Sequence, residues 1–155
     1  MTGEQLDTID DRVLSGLRRW PDVEAPNLHA VDASDRLILD EAAAAIAESG
    51  PGEVVVIGDA YGALTIGAAT FGGVTGIRVF QDSIVGERAL AANAAGAVDY
   101  VSLPLGADLL RGASVVLMQL PRSLAELDEL ATWIASAADP AVRVYAGGRI
   151  KHMTT

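Results

Sequence analysis

Three short stretches of this chain have residue types and spacing that could do chemistry. The first, Gly58-Asp59-Ala60-Tyr61-Gly62, follows the apolar run Val54–Ile57 and precedes Leu64, Ile66, Ala68 and Ala69, which recur at helical spacing. A glycine-bearing turn between a strand and a helix brings backbone N–H groups and a helix N-terminus close to a ligand, as in nucleotide and anion binding. The second is Asp82, which ends the next apolar run 24 residues after Gly58. That is near the ~20-residue spacing at which an acid meets a ribose hydroxyl. Asp82 equally suits a helix N-cap just after a strand. The third, Gln119-Leu120-Pro121-Arg122, ends a later apolar run with an amide, a proline and a cation. It has no carboxylate to act as general base, so no catalytic residue is assigned.

Other reaction classes find little support. Gly58 and Gly62 are not followed by Gly-Lys-Ser, so a phosphate-binding P-loop is excluded. A dinucleotide site fits Asp82, but Ala60 and Tyr61 crowd a pyrophosphate turn. Ser102, Ser114 and Ser123 lack a Gly-x-Ser-x-Gly elbow. His29 and His152 lie far apart, and Asp32, Asp35, Asp40 and Glu41 do not match a calcium loop, so no metal site is expected. Those four acids read as helix-capping and solvated groups. Arg18 and Arg19 beside Trp20, together with Arg122, are the candidate RNA contacts. The competing reading of the first pair is a solvated helix end, with Trp20 anchoring the connection that follows.

Strict alternation of strands and helices holds these stretches in place. Leu6, Ile9, Val13, Leu14 and Leu17 predict an amphipathic helix over residues 4–19, ended by Trp20-Pro21. An extended connection over 21–33 leads to a helix of about Ser34 to Ser49, with Ser34 as N-cap and Gly50-Pro51-Gly52 as the stop. Strands are predicted at Val54–Ile57, Ile77–Phe80, Asp99–Ser102, Ser114–Leu120 and Ala141–Ala146. Helices at Gly62–Phe71, Ser83–Ala95 and Ser123–Ala138 fall between them. In the last, Leu124, Leu127, Leu130 and Ile134 are expected to share a core-facing stripe. The pattern implies an α/β fold: three layers, doubly wound, around a mostly parallel sheet of about five strands. Residues 1–52 read as an N-terminal helical extension packed on a domain formed by 53–155.

Composition bounds the rest. The chain has 155 residues, half of them hydrophobic, enough for one domain with a largely aliphatic core. It has no cysteine, so neither disulfides nor thiol chemistry enter. No apolar run nears the ~20 residues that span a bilayer, and no basic segment precedes an apolar block near the N-terminus, so no membrane partner is expected and the expected location is cytoplasmic. The net charge is −10. Residues 1–53 hold 12 acids and 4 bases, against 9 acids and 7 bases in 54–155. A nucleic-acid surface needs a basic stripe, so any RNA contact must rest on a local patch.

VVVIGDAYGALTIGA resembles motif I of class I S-adenosylmethionine-dependent methyltransferases, an acid followed by glycines at three alternating positions. Here the acid position is Val56, and the glycine positions are Gly58, Ala60 and Gly62. RVFQDSIVGERALAANAAG resembles the segment where an acid meets the cofactor ribose, with Asn93 late in the next helix. Methyltransferases acting on exocyclic amines often carry Asn-Pro-Pro-aromatic where this chain has Gln119 to Arg122. Beyond these motifs, LRRWPDVEAPNLHAVDASDRLIL, IGDAYGAL, VLMQLPRSLAELDELATWI and AGGRIKHMT look like the N-terminal domain of two-domain ribosomal RNA guanine-N2 methyltransferases, the "methyltransferase small domain" group. The resemblance covers about Leu17 to Thr154.

That resemblance implies a non-catalytic Rossmann-like domain with a degenerate pocket, in which Gly58, Asp59, Ala60, Gly62 and Asp82 are vestigial cofactor-site residues. It implies that S-adenosylmethionine is bound in the full-length protein but not by this domain. The partners implied are a C-terminal catalytic methyltransferase domain of the same chain and, indirectly, ribosomal RNA. An autonomous methyltransferase with a divergent cofactor site and a nucleotide- or protein-binding module are the alternatives. The groove above Gly58–Gly62 is expected to be narrow, empty or filled by the chain's own side chains.

Overall fold

The computed structural model describes residues 12–148. Leu6 and Ile9 of the first expected helix, and Arg149, Lys151 and His152, lie outside the described residues. Helical structure is present over 12–15 and gives way to a turn at Gly16. The elements that follow are α1 (Ala33–Glu48), β1 (Val54–Ile57), α2 (Ala63–Gly72), β2 (Ile77–Phe80), α3 (Ile84–Ala94), β3 (Tyr100–Ser102), α4 (Ala107–Leu110), β4 (Val115–Gln119), α5 (Leu124–Ala137) and β5 (Arg143–Gly147).

All five strands pair in parallel, in the order β3-β2-β1-β4-β5. β1 lies at the centre, and every one of its residues is buried. Its alternating side chains feed two different cores, as period-two geometry requires. Val54 and Val56 join Val115, Leu117, Ile38, Ile46, Leu64 and Leu90 on one face. Val55 and Ile57 join Val116, Met118, Leu109, Leu110, Leu130 and Ile134 on the other. α1, α2 and α3 therefore form one outer layer, and α4 and α5 the other. α1 is part of the first layer, contacting α2, β4 and β5.

The expected bounds of β1 and β2 are the observed ones. Elsewhere local chemistry moves them. The first helical segment stops at residue 15 rather than 19, so Arg18 and Arg19 lie beyond the helix; Arg18 N–H is held by Asn93 Oδ1 at 2.9 Å. α1 is capped by Asp32, not Ser34: Asp32 Oδ1 accepts from Asp35 N at 3.1 Å, and Asp35 Oδ2 accepts from Asp32 N at 3.0 Å. This reciprocal capping box satisfies two otherwise unpaired donors. β5 starts at Arg143 because Asp139 holds Ala141 and Val142 in a turn. The short α4, expected as loop, buries Leu109 and Leu110 completely.

Candidate functional site

The C-terminal ends of β1, β2 and β4 converge on a groove of about 650 Å³. It sits at the point where strand order reverses, where open α/β sheets place their ligand sites. Ile57, Phe80, Leu105, Leu120 and Leu130 supply apolar walls, and Asp82, Arg122, Glu126 and Glu129 supply charge. The chain's own side chains do not fill the groove, so that part of the sequence expectation does not hold. The chain's own groups instead occupy the donors and amides that would meet a ligand there.

Asp59 is the clearest case. Its carboxyl is fully buried beneath α2. Oδ1 accepts from Leu64 N at 3.1 Å, and Oδ2 accepts from Thr65 N at 2.9 Å and from Thr65 Oγ1 at 2.7 Å. These are second- and third-position N–H groups of the helix, the donors that would otherwise serve an incoming anion. Burial pushes the Asp59 carboxyl up from its ordinary range, while bonds from Thr65, Leu64 and Gly62 pull it back down. Asp59 is an internal helix cap and not a groove residue.

The turn glycines have equally internal reasons. Gly58 has φ +75°, its N–H donates to Phe80 O, and a Cβ there would lie 3.2 Å from Gln119 O. Gly62 has φ +100°, and its Cβ would lie 2.9 Å from Leu90 Cδ1. Left-handed backbone and close neighbours require both glycines without a ligand. Ala60 is exposed at the groove wall.

Tyr61 points its hydroxyl toward the N-terminal segment. It donates to Asp22 Oδ2 at 2.6 Å and accepts from Arg19 Nη2 at 2.7 Å and Nε at 3.1 Å. Arg19 also pairs with Asp22 at 3.1 Å, and its guanidinium lies 5.1 Å from the Tyr61 ring centroid. Asn93 closes the same junction, donating to Tyr61 O at 2.7 Å and to Arg18 O at 2.8 Å. Arg19 is therefore a brace between the N-terminal segment and the β1–α2 turn. Trp20, expected as the anchor, is 59% exposed; Arg19 and Asn93 do the anchoring.

At the end of β4, Gln119 lines the groove but commits its side-chain amide to α1. Its Nε2 donates to Asp35 Oδ1 at 2.5 Å and to Ser34 Oγ at 3.0 Å. Asp35 is 4% exposed, not solvated, and its carboxyl is pushed up to about 7, first by burial, with repulsion from Asp59 and Asp32 adding to it.

Asp82 is different. Ser83 caps α3, accepting from Gly86 N at 3.3 Å, so the capping role expected for Asp82 falls to its neighbour. Asp82 remains exposed at the groove wall, placed to accept from a hydroxyl or a cation.

The three candidate RNA contacts differ in state but share a surface. Arg18 is exposed and grips Glu24 bidentately, at 2.8 and 2.5 Å, which holds the Glu24 carboxyl down to about 2. Arg18, Arg19, Arg36 and His29 line a cavity of about 630 Å³. Arg19, His29 and Arg122 line a second, of about 430 Å³, that shares Arg19, Leu28, His29 and Ala30 with the first. Four arginines and a histidine thus gather on one surface, with Glu24, Asp32 and Asp35 lining the same two cavities. Sequence reasoning missed His29 and Arg36, which lie far from Arg122 along the chain and carry no motif. Among the described residues, no three histidine or acidic side chains gather as a metal site, and no helix is long and apolar enough to cross a membrane.

Comparison with known proteins gives consistent results. Residues 5–155 match the family model described as the RLMG N-terminal domain. A ribosomal RNA large subunit methyltransferase G from Pseudomonas syringae pv. syringae (strain B728a) is 31% identical over 141 residues, covering 88% of this chain. The enzyme of that name from Pseudomonas syringae pv. tomato is also 31% identical, over 144 residues. The chain spans 37% of the length of these curated relatives. Among solved structures, a candidate RNA methyltransferase from Pyrococcus horikoshii superposes with a TM-score of 0.68 at 15% identity, over 97% of this chain and 75% of that one. Magnesium protoporphyrin IX methyltransferase from Synechocystis PCC 6803, solved with bound SAM, gives 0.53 at 16% identity, over 90% and 74%. The fold is the Rossmann-like methyltransferase fold.

Proposed function

The chain belongs to the RLMG N-terminal domain family, and from that premise we propose that it is the non-catalytic N-terminal domain of a ribosomal RNA guanine-N2 methyltransferase. It supports a catalytic C-terminal domain of the same polypeptide and helps to position the RNA. S-adenosylmethionine is bound by the partner domain and not by this one. The residues 1–52 serve as a helical extension to the methyltransferase-type unit 53–155.

The observation that carries this reading is the commitment of the site to its own fold. Asp59 occupies the start of α2, and Gln119 is bound to Asp35 and Ser34. Releasing either leaves buried polar groups unpaired, at about 1–3 kcal/mol each. Of the expected cofactor-site acids, Asp82 alone keeps an exposed carboxylate at the groove, and with Asp59 spent on the start of α2 it makes a poor cofactor site. The strip of Arg18, Arg36, Arg19, His29 and Arg122, with Trp20 exposed beside it, supports RNA contact through phosphates and base stacking.

Isothermal titration with S-adenosylmethionine or S-adenosylhomocysteine is the direct test. The expected result is no saturable heat on this chain at ligand concentrations up to about 1 mM, where a Kd corresponds to about −4 kcal/mol. One-to-one binding in the micromolar range would overturn the non-catalytic reading in favour of an autonomous methyltransferase.

A further inference from the structure

The 650 Å³ groove has a charge pattern that the vestigial cofactor reading leaves unused. Asp22, Asp82, Glu126 and Glu129 line it, with Arg122 as the sole basic lining residue among the described residues. Asp22 is spent on Arg19 and Tyr61. Asp82, Glu126 and Glu129 are exposed, and no ion pair or side-chain hydrogen bond engages their carboxylates among the described residues. Between them lie apolar walls: Phe80, Val85, Leu105, Leu120 and Leu130. The helices that wall the groove begin with exposed apolar side chains, Ile84 at 61% and Leu124 at 66%.

Exposed apolar residues around an acid-rimmed apolar cleft make a protein-docking surface, with anchors to bury and charges to select the partner. The carboxylates repel phosphates, so RNA is the wrong occupant here and belongs on the arginine strip. Gly147 O accepts from Leu120 N at 2.7 Å, and Gly148 lines the adjoining cavity. Gly148, the last described residue, therefore stands at the same end of the sheet as the groove. A segment tethered there reaches the groove at high effective concentration.

We infer that this groove is the seat of the second domain of the same polypeptide, which inserts an apolar segment flanked by lysine or arginine between α3 and α5. Its apolar residues cover Leu120, Leu130 and Leu124, and its cations meet Asp82, Glu126 and Glu129. The surface that relatives of this fold use for a small molecule is converted to an interdomain contact. This rests on the reading of the chain as the first of two domains.

The test uses the full-length protein with a photo-reactive phenylalanine analogue at position 124. Cross-links mapped by mass spectrometry are expected within the same polypeptide, to a second-domain peptide carrying lysine or arginine. The double variant E126K/E129K, both changes on the exposed face of α5, is expected to cut the cross-link yield about ten-fold, as reversal of close charge pairs does. Unchanged far-UV circular dichroism establishes that it folds. Cross-links from position 124 to RNA or to a second copy would overturn the inference. So would a silent position 124 together with second-domain cross-links from an analogue at position 144 on β5; that result would leave the two-domain reading intact. If neither position reaches a second domain, the supporting role proposed above fails as well.

Discussion

Asp35 and Asp59 are carboxyls that the fold takes almost entirely out of water. Neither has a basic partner among the hydrogen bonds and ion pairs of the described residues; both are held by amides, hydroxyls or backbone N–H groups. For Asp35 the folded-state value rises from 3.8 to about 7. The native state then binds more protons than the unfolded chain between those values, so stability falls as pH rises through that window. Below about pH 4 the contribution is fully present, and above about 7 it is lost. Urea unfolding of the D35N variant is expected to show a flatter dependence between pH 4 and 7 and, at pH 8, a stability equal to or above that of the parent, because the Gln119 amide can turn over to meet an asparagine. A parent curve already flat across this window would contradict the assignment. At this scale the sequence is least legible. Asp59 reads as a turn residue next to a glycine, and only its placement under α2 turns it into a cap. Tyr61 reads as bulk in a cofactor turn, and only the approach of Arg19 and Asp22 makes it a brace.

Elements were more legible where a run has one interpretation. Val54–Ile57 and Ile77–Phe80 are short, β-branched and closed by polar or glycine residues, and their bounds follow. The stripe of α5 is partly misread. Leu130 and Ile134 are buried at 6% and 7%, but Leu124 on the first turn projects past the sheet end and is 66% exposed. Helical spacing gives the direction of a side chain but not how far the facing layer extends. The start of α2 shows what local geometry demands. Gly62 at φ +100° is both its N-cap and the point closest to Leu90. Replacing it with alanine strains the backbone and presses a methyl onto Leu90, an expected loss of about 1–3 kcal/mol in chemical denaturation. Gly112, also at positive φ but with no atom within 4 Å of an added Cβ, bears only the backbone part of that cost. An equal loss for G62A and G112A would remove the packing argument.

Over the whole molecule, an excess of acid coexists with a strip where arginines gather, itself lined by Glu24, Asp32 and Asp35. Arg18 and Arg122 lie on it, while Arg111, exposed just past α4 and paired with Asp108, does not line either strip cavity. If the strip contacts RNA, R18E/R122E in the full-length protein weakens binding of a ribosomal RNA fragment about ten-fold or more and lowers the salt slope by about 1–2, whereas R111E changes neither. Filter binding over a range of salt concentrations measures both, and equal losses for the two variants would point to general charge instead. The sequence by itself determined the alternating α/β order, the parallel sheet, the family resemblance and the loss of motif acids and aromatics, because these are properties of local pattern. Tertiary structure alone decided which groups face the groove. Asp59 and Gln119 could have met a ligand from where they stand in the chain; they are turned inward because the helix start and Asp35 lie within hydrogen-bond reach. It also decided that Arg18, Arg36, His29 and Arg122 adjoin one another, since residues separated by up to 104 positions meet only when the sheet brings β4 beside the N-terminal segment.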